Sequence, residues 1–162
     1  MTFDQRAFRD ALGRFPTGVV VVTAHAEGGD PVAITVSSFN AVSLEPPLVL
    51  FSISKAAISL PVLLAAEHFG VSVLRHDQSE LSSRFAGRRG AKWAGLKPAR
   101  GITGCPLIDP CLAVFECAPH AVHEGGDHLI IVGRVLEFET RPDGAPLVFF
   151  RGGYHAIAEH AA

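Results

Sequence analysis

Three small hydroxyls, Thr35, Ser37 and Ser38, stand where the β-branched run Ala33-Ile34-Thr35-Val36 gives way to Ser37-Ser38-Phe39-Asn40-Ala41-Val42-Ser43-Leu44-Glu45-Pro46-Pro47-Leu48. Side chains alternate faces along a strand, so Thr35 and Ser37 share one face, Val36 points to the other and Ser38 marks the exit. Hydroxyls at a sheet rim supply donors and acceptors without bulk. They suit a planar polar ligand better than a packed core.

Two further groups could do chemistry. Ser54, Lys55 and Ser59 follow the apolar run Leu48 to Ile53 and lead into a predicted helix over Ile58 to Ala66. Backbone N–H groups and the dipole at a helix start favour phosphate. His128 follows Gly125-Gly126-Asp127, where Asp127 either fixes the imidazole tautomer or stabilises a turn. His120 and His123 lie close by in sequence. Positions three apart on a strand face opposite ways, however, so they do not converge on a metal.

From Leu81 to Ile108 there is no acidic residue, while Arg84, Arg88, Arg89, Lys92, Lys97 and Arg100 are interspersed with glycines. Cations gathered on a nearly neutral chain, net charge −2, make a local positive field that attracts anions. Trp93 adds a flat face that can stack on a base or cover a subunit contact. The overall charge excludes general nucleic-acid binding, which needs a basic footprint.

The elements that must position these groups follow from periodicity. Thr2 and Gln5 match a capping box, and Phe3, Ala7, Phe8, Ala11, Leu12 and Phe15 repeat at helical spacing, so an amphipathic helix is predicted that ends near Gly13 to Pro16. Val19 to Ala24 and Val32 to Ser37, separated by Glu27-Gly28-Gly29-Asp30-Pro31, read as a hairpin. Strands are predicted at Leu48 to Ile53, His68 to Leu74, Cys111 to Val122, Leu129 to Glu139 and Leu147 to Phe150. Short helices are predicted at Ile58 to Ala66, with Pro61 in the first turn, and at Ser79 to Phe85.

This pattern predicts a mainly β protein: an antiparallel, closed or nearly closed barrel with a few short flanking helices. The dinucleotide fold does not fit, since neither regular β-α-β alternation nor a Gly-x-Gly-x-x-Gly turn is present. A length of 162 residues fits one domain over residues 1–162, within the usual range of roughly 100 to 200. Hydrophobic content of 48% is high for a monomer, and an oligomer would cover the surplus.

Cys105, Cys111 and Cys117 are odd in number and lack a Cys-x-x-Cys pair, so they read as buried small hydrophobes rather than a disulfide framework or zinc site. A reducing cytoplasm is the compartment this usage predicts. No segment reaches the roughly 20 apolar residues of a membrane span, and no signal-peptide run opens the chain.

Four segments together carry a resemblance. They are Phe15-Pro16-Thr17-Gly18-Val19 with Val22-Thr23; Thr35 to Phe39 running through Ser43 to Leu48; Gly126-Asp127-His128 with Gly133 and Val135; and Arg151-Gly152-Gly153-Tyr154. In this order, across nearly the whole chain, the sequence resembles the flavin reductase family with an FMN-binding split barrel. These are small NAD(P)H:flavin oxidoreductases that supply reduced flavin to two-component monooxygenases.

The resemblance implies a homodimer of split barrels, FMN or FAD near the subunit interface, NADH or NADPH stacked on its ring, and a separate oxygenase as partner. It implies hydride transfer from nicotinamide C4 to flavin N5, for which the protein holds two rings face to face and excludes water. Thr35, Val36, Ser37 and Ser38 would meet the edge of the isoalloxazine. Donors fixed there favour the reduced, more negative form. Ser54, Lys55 and Ser59 would meet the flavin phosphate, Arg84 and Phe85 the flavin tail, His128 the nicotinamide as the catalytic residue, and Tyr154 would cover the nicotinamide pocket. Ala33 departs from the glycine common in the family and narrows the pocket. Two alternatives stay open: a flavin carrier without turnover on the same barrel, and a reductase with prosthetic flavin that serves another acceptor.

Overall fold

The computed structural model describes residues 3–87, 90–141 and 144–157. Thr2, the first residue of the expected capping box, lies outside the described residues, and the helix begins at Gln5. Asp4 is the N-cap of α1 (Gln5–Leu12), and its carboxylate accepts from Arg6 N at 2.9 Å and Ala7 N at 3.0 Å. No residue of α1 is buried, although its apolar stripe is as regular as predicted.

Twelve strands are described in three sheets. The principal sheet has seven antiparallel strands in the order β3-β2-β6-β9-β10-β5-β4. They are β2 (Val20–His25), β3 (Pro31–Val36), β4 (Asn40–Leu44), β5 (Pro47–Ser54), β6 (Phe69–Val73), β9 (Ala113–Gly125) and β10 (His128–Thr140). A three-stranded sheet joins β1 (Thr17–Gly18), β11 (Val148–Phe150) and β12 (Gly153–His155), and β7 (Ala99–Arg100) pairs with β8 (Pro106–Leu107). The remaining helices are α2 (Leu60–Ala65) and α3 (Ser79–Ala86).

The predicted hairpin forms with Val20 opposite Val36 and Ala24 opposite Val32. Its first strand was legible as an unbroken apolar run because both faces are covered. Val20, Val22 and Ala24 enter one core with Phe51, Ile53, Phe69, Val71 and Ile131. Val19 and Val21 enter a second core with Leu74, Phe85, Ile108 and Leu147, over which α3 lies. Each such valine, leucine, isoleucine or phenylalanine side chain contributes about 1.5–3 kcal/mol when fully removed from water.

The sheet does not close through strand pairing: β3 and β4 are its two edges. Only Ser37, Ser38 and Phe39 separate the end of β3 from the start of β4. A span that short, at most about 3.3–3.6 Å per residue, forces the two edges together at one end. The sheet is therefore curled, and an opening remains between β3 and β5. The β9–β10 hairpin turns through Gly126 and Asp127, with Gly126 at φ +76. Glycine at the first turn position permits the tight two-residue loop that sets His128 opposite Ser54 of β5.

Cys105, Cys111 and Cys117 are buried free thiols. Burial pushes Cys105 up to about 11 and Cys117 up to about 12, so these thiols stay protonated at neutral pH.

Candidate functional site

The opening between β3 and β5 holds a cavity of about 320 Å³ lined by Ile34 to Ser38, Ser52 to Ser54 and His128. The hydroxyl run and the hairpin histidine, 90 or more positions apart in the chain, thus share one space. On one side it continues into a cavity of about 430 Å³ lined by Ile34, Ser54, Ser59, Lys92 and Trp93, with Ala33 at its wall. On the other, a smaller cavity of about 160 Å³ runs between Thr35, Ser37, Ser82 and Tyr154.

The hydroxyls differ in what they have left to offer. Thr35 Oγ1 donates to Ser82 O of α3 at 2.7 Å, and Ser38 Oγ donates to Ser52 O at 3.0 Å while accepting from Ser52 N at 2.9 Å. Both brace the walls of the opening. Ser37 is exposed and makes no side-chain hydrogen bond among the described residues. Val36 is buried and supplies an apolar wall. Because β3 is an edge, the backbone groups on its free side have no strand partner.

His128 is half-buried, with Nδ1 2.7 Å from Asp127 Oδ1. The hydrogen bond with His128 holds the Asp127 carboxyl below its ordinary range, so Asp127 accepts and Nδ1 donates. Nε2 is left for the cavity. Tyr154 O–H lies 2.8 Å from Ser82 Oγ, and its ring packs on Phe149.

The phosphate-binding expectation changes in detail. Helix α2 has only six residues, and Pro61 removes one N–H of its first turn. Ser54 and Ser59 do line the cavity, and Ser59 makes no capping bond. Lys55, by contrast, is exposed on the outer surface, where its ammonium meets Glu124 at 2.5 Å. Among the described residues, the cation that lines the groove is Lys92. Its Nζ donates to Phe85 O at 2.9 Å and Ala33 O at 3.5 Å, which leaves a third N–H. Burial lowers its pKa. Beside it, Trp93 Nε1 is buried without a partner among the described residues. Trp93 itself lines the same cavity.

Arg84 and Phe85 are not brought to the groove. Arg84 donates to Ala94 O at 3.1 Å on the surface, and Phe85, fully buried, packs its ring against Trp93 with centroids 4.9 Å apart. In this chain both hold the 90–96 segment in place. Arg88 and Arg89 lie outside the described residues. His120 is the extra residue of a bulge opposite the Val132–Gly133 step, so the simple alternation assumed for His120 and His123 does not hold there.

Sequence reasoning also missed Glu116, a carboxylate inside β9 that is only 4% exposed. Burial would raise its pKa. Hydrogen bonds from Thr103 Oγ1 at 2.5 Å, Thr103 N at 2.7 Å and Ile102 N at 2.8 Å outweigh that and hold it below the ordinary range. The available signal was one acid in the apolar run Val114-Phe115-Glu116-Cys117.

A curled antiparallel sheet with a polar opening that runs on into a second cavity defines this chain as a mainly β protein with an elongated groove. The chain belongs to the flavin reductase family: residues 12–158 match the flavin reductase like domain. It is 47% identical over 151 residues to the FMN reductase (NADH) SmoA of Agrobacterium fabrum, covering 93% of this chain and 85% of that one. It is 43% identical to the stachydrine N-demethylase reductase subunit Stc3 of Rhizobium meliloti over 95% of its own length and 66% of that relative's. Among solved structures, the NADH:FAD oxidoreductase SgcE6 of Streptomyces globisporus, in complex with NAD and FAD fragments, superposes with a TM-score of 0.92 at 36% identity, covering 100% of this chain and 99% of the other.

Proposed function

We propose that the protein is an NAD(P)H:flavin oxidoreductase that reduces FMN or FAD and hands the reduced flavin to a separate monooxygenase. The observation that carries this reading is the meeting of Thr35–Ser38, Ser54 and His128 in one opening, in a chain of the flavin reductase family. When bound, the nicotinamide and flavin supply the hydride chemistry themselves. The protein binds, orients and keeps out water.

In this reading Ser37 and the free edge of β3 hold the polar edge of the flavin, and Val36 supports its face. Thr35 and Ser38 act through the walls they brace. The flavin phosphate runs towards Ser54, Ser59, Lys92 and Trp93 Nε1, so Lys92 takes the part expected of Lys55. His128 Nε2 orients the nicotinamide, and Tyr154 borders its pocket.

The curled sheet is read as a split barrel, and residues 1–162 as one domain. A homodimer is supported by apolar side chains that this chain leaves uncovered: Phe8 and Leu12 of α1, and Leu136 and Phe138 of β10. Sedimentation velocity tests it, and a monomer at micromolar concentration would rule it out. The buried free thiols suit a reducing cytoplasm.

The deciding experiment follows NADH and NADPH oxidation with FMN, FAD and riboflavin in turn. Turnover that saturates with added flavin is the expected result. No oxidation with any flavin would refute the proposal, while turnover independent of added flavin would make it a prosthetic-flavin reductase.

A further inference from the structure

Ser82 of α3 is fully buried and meets the site through two different atoms. Its backbone O accepts from Thr35 Oγ1 at 2.7 Å, which ties α3 to the β3 wall. Its Oγ lies 2.8 Å from the hydroxyl of Tyr154 in β12. The first contact braces a wall, and the second decides where a proton points.

Either oxygen of the Ser82–Tyr154 pair has the chemistry to donate, and burial settles which one does. Ser82 is 0% exposed, and Tyr154 is the one hydrogen-bond partner of its Oγ among the described residues. A helical serine can also bond back to the carbonyl four residues earlier. The next residue does so, Ser83 Oγ donating to Ser79 O at 3.0 Å, while Ser82 does not. Were Tyr154 the donor, the Ser82 proton would be left in the core without an acceptor, a defect that folded proteins rarely carry. Ser82 therefore donates and Tyr154 Oη accepts.

That direction frees the Tyr154 proton. A phenol carries one O–H, and with its oxygen already accepting from Ser82 the proton turns away from α3. Tyr154 is half-buried and lines the cavity of about 160 Å³, which shares Thr35, Val36 and Ser37 with the opening between β3 and β5. Its ring packs on Phe149, its partner across the β11–β12 pair, with centroids 5.7 Å apart. Packing thus fixes the ring, and Ser82 fixes the rotation of its hydroxyl. Since Thr35 has given its proton to Ser82 O, Tyr154 and Ser37 are the hydroxyls that keep one for a ligand in this cavity.

We propose, resting on the nicotinamide reading of this side of the opening, that Ser82 is a positioning residue that turns the Tyr154 O–H into the cavity as donor to the carboxamide oxygen of the nicotinamide. A donor fixed there takes the carboxamide oxygen and refuses its NH2, and so sets the orientation of that group.

The test uses the full chain with Ser82→Ala, Tyr154→Phe and the two combined, and circular dichroism checks that each keeps the fold. Tyr154 is the single tyrosine of the chain, so the tyrosine ring-mode doublet in resonance Raman spectra, whose intensity ratio separates an accepting phenol from a donating one, reads this hydroxyl alone. Wild type without ligand is expected to read as an acceptor, and Ser82→Ala to lose that signature. A wild-type phenol that reads as a donor to Ser82 overturns the proposal. Stability follows the same logic: Tyr154→Phe strands the Ser82 proton, so its Tm should fall, and the double variant should recover part of the loss. A further fall in the double variant would contradict the assigned direction.

NADH affinity is measured by its fluorescence in the absence of flavin. Kd is expected to rise about three- to tenfold in Tyr154→Phe and by a smaller factor in Ser82→Ala, with the double variant no weaker than Tyr154→Phe. The flavin KM of Ser82→Ala should stay at the wild-type value, because the acceptor of Thr35 is the backbone O, which alanine keeps. Equal NADH affinity in all four proteins, or a loss confined to flavin, overturns the proposal. The binding measurement needs no turnover, so a protein that binds NADH through Tyr154 yet reduces no flavin would refute the oxidoreductase reading and leave Ser82 assigned.

Discussion

One hydroxyl, that of Ser38, satisfies both backbone groups of Ser52: it accepts from Ser52 N at 2.9 Å and donates to Ser52 O at 3.0 Å. It does so at the step where the chain leaves the β3 edge of the sheet for the β4 edge. Ser38 is therefore a clasp across the opening. Ser38→Ala leaves a half-buried N–H and C=O without their partner, at a cost of about 1–3 kcal/mol. Thermal denaturation should give a lower Tm, and the flavin KM should rise with it as the wall loosens. An unchanged Tm would mean that the clasp contributes nothing.

His128 and Asp127 form the second unit to test. The ionised Asp127 keeps the proton on His128 Nδ1 and leaves Nε2 to the opening. His128→Ala should raise KM for the nicotinamide roughly tenfold, the worth of one hydrogen bond with a charged or polarised partner, with flavin affinity largely kept. Asp127→Asn should give a smaller change in the same direction, since the imidazole remains but its tautomer is no longer fixed. Equal nicotinamide KM in all three proteins would remove His128 from the site.

Lys92 and Lys55 are separated by what each already touches. Lys55 is tied to Glu124 on the surface, whereas Lys92 keeps one N–H for the groove beside Trp93. Lys92→Gln should weaken FMN binding about tenfold or more and leave riboflavin, which has no phosphate, nearly unchanged. Lys55→Gln should alter neither by more than about twofold. Burial lowers the pKa of Lys92 from 10.5, so FMN affinity should decline with rising pH before the ordinary lysine range is reached. Fluorescence titration across alkaline pH measures this, and a riboflavin loss equal to the FMN loss would contradict the phosphate assignment.

Much of the sheet was legible because burial writes itself into side-chain type. The run Val19 to Ala24 had to be a strand covered on both faces, and Cys111 to Val122 with Leu129 to Glu139 had to be a hairpin. Strand β4 was missed because Val42 and Leu44 are exposed and give no core signal, and β1, β7, β8 and β12 are only two or three residues long. The site was legible in its residue types but not in their commitments. Nothing near Thr35 announces Ser82, 47 positions away, as its acceptor, and nothing near Lys92 shows that it, rather than Lys55, turns inward. Those assignments depend on which distant backbone passes by. The burial of Phe85 was hidden for the same reason, since its neighbour Arg84 is exposed while it is fully buried.

Glu116 offers a test that is independent of flavin. Its carboxylate accepts from Ile102 N, Thr103 N and Thr103 Oγ1 and lies against Gly101, so it organises the turn between β7 and β8 from inside β9. Burial opposes its charge, but these bonds prevail and the folded pKa lies below the ordinary value of 4.5. For a depressed carboxylate the stabilisation is fully present above the unfolded pKa and is lost as pH falls through the folded one. Wild-type Tm should therefore fall as the medium is acidified from about pH 5, and Glu116→Gln should lose this component of the pH dependence. At neutral pH the variant should be less stable by about 1.5–3 kcal/mol, because a neutral amide oxygen accepts less strongly and its NH2 faces donors. A Glu116→Gln protein whose Tm tracks wild type from neutral to acid pH would show that the buried carboxylate plays no part in holding the turn.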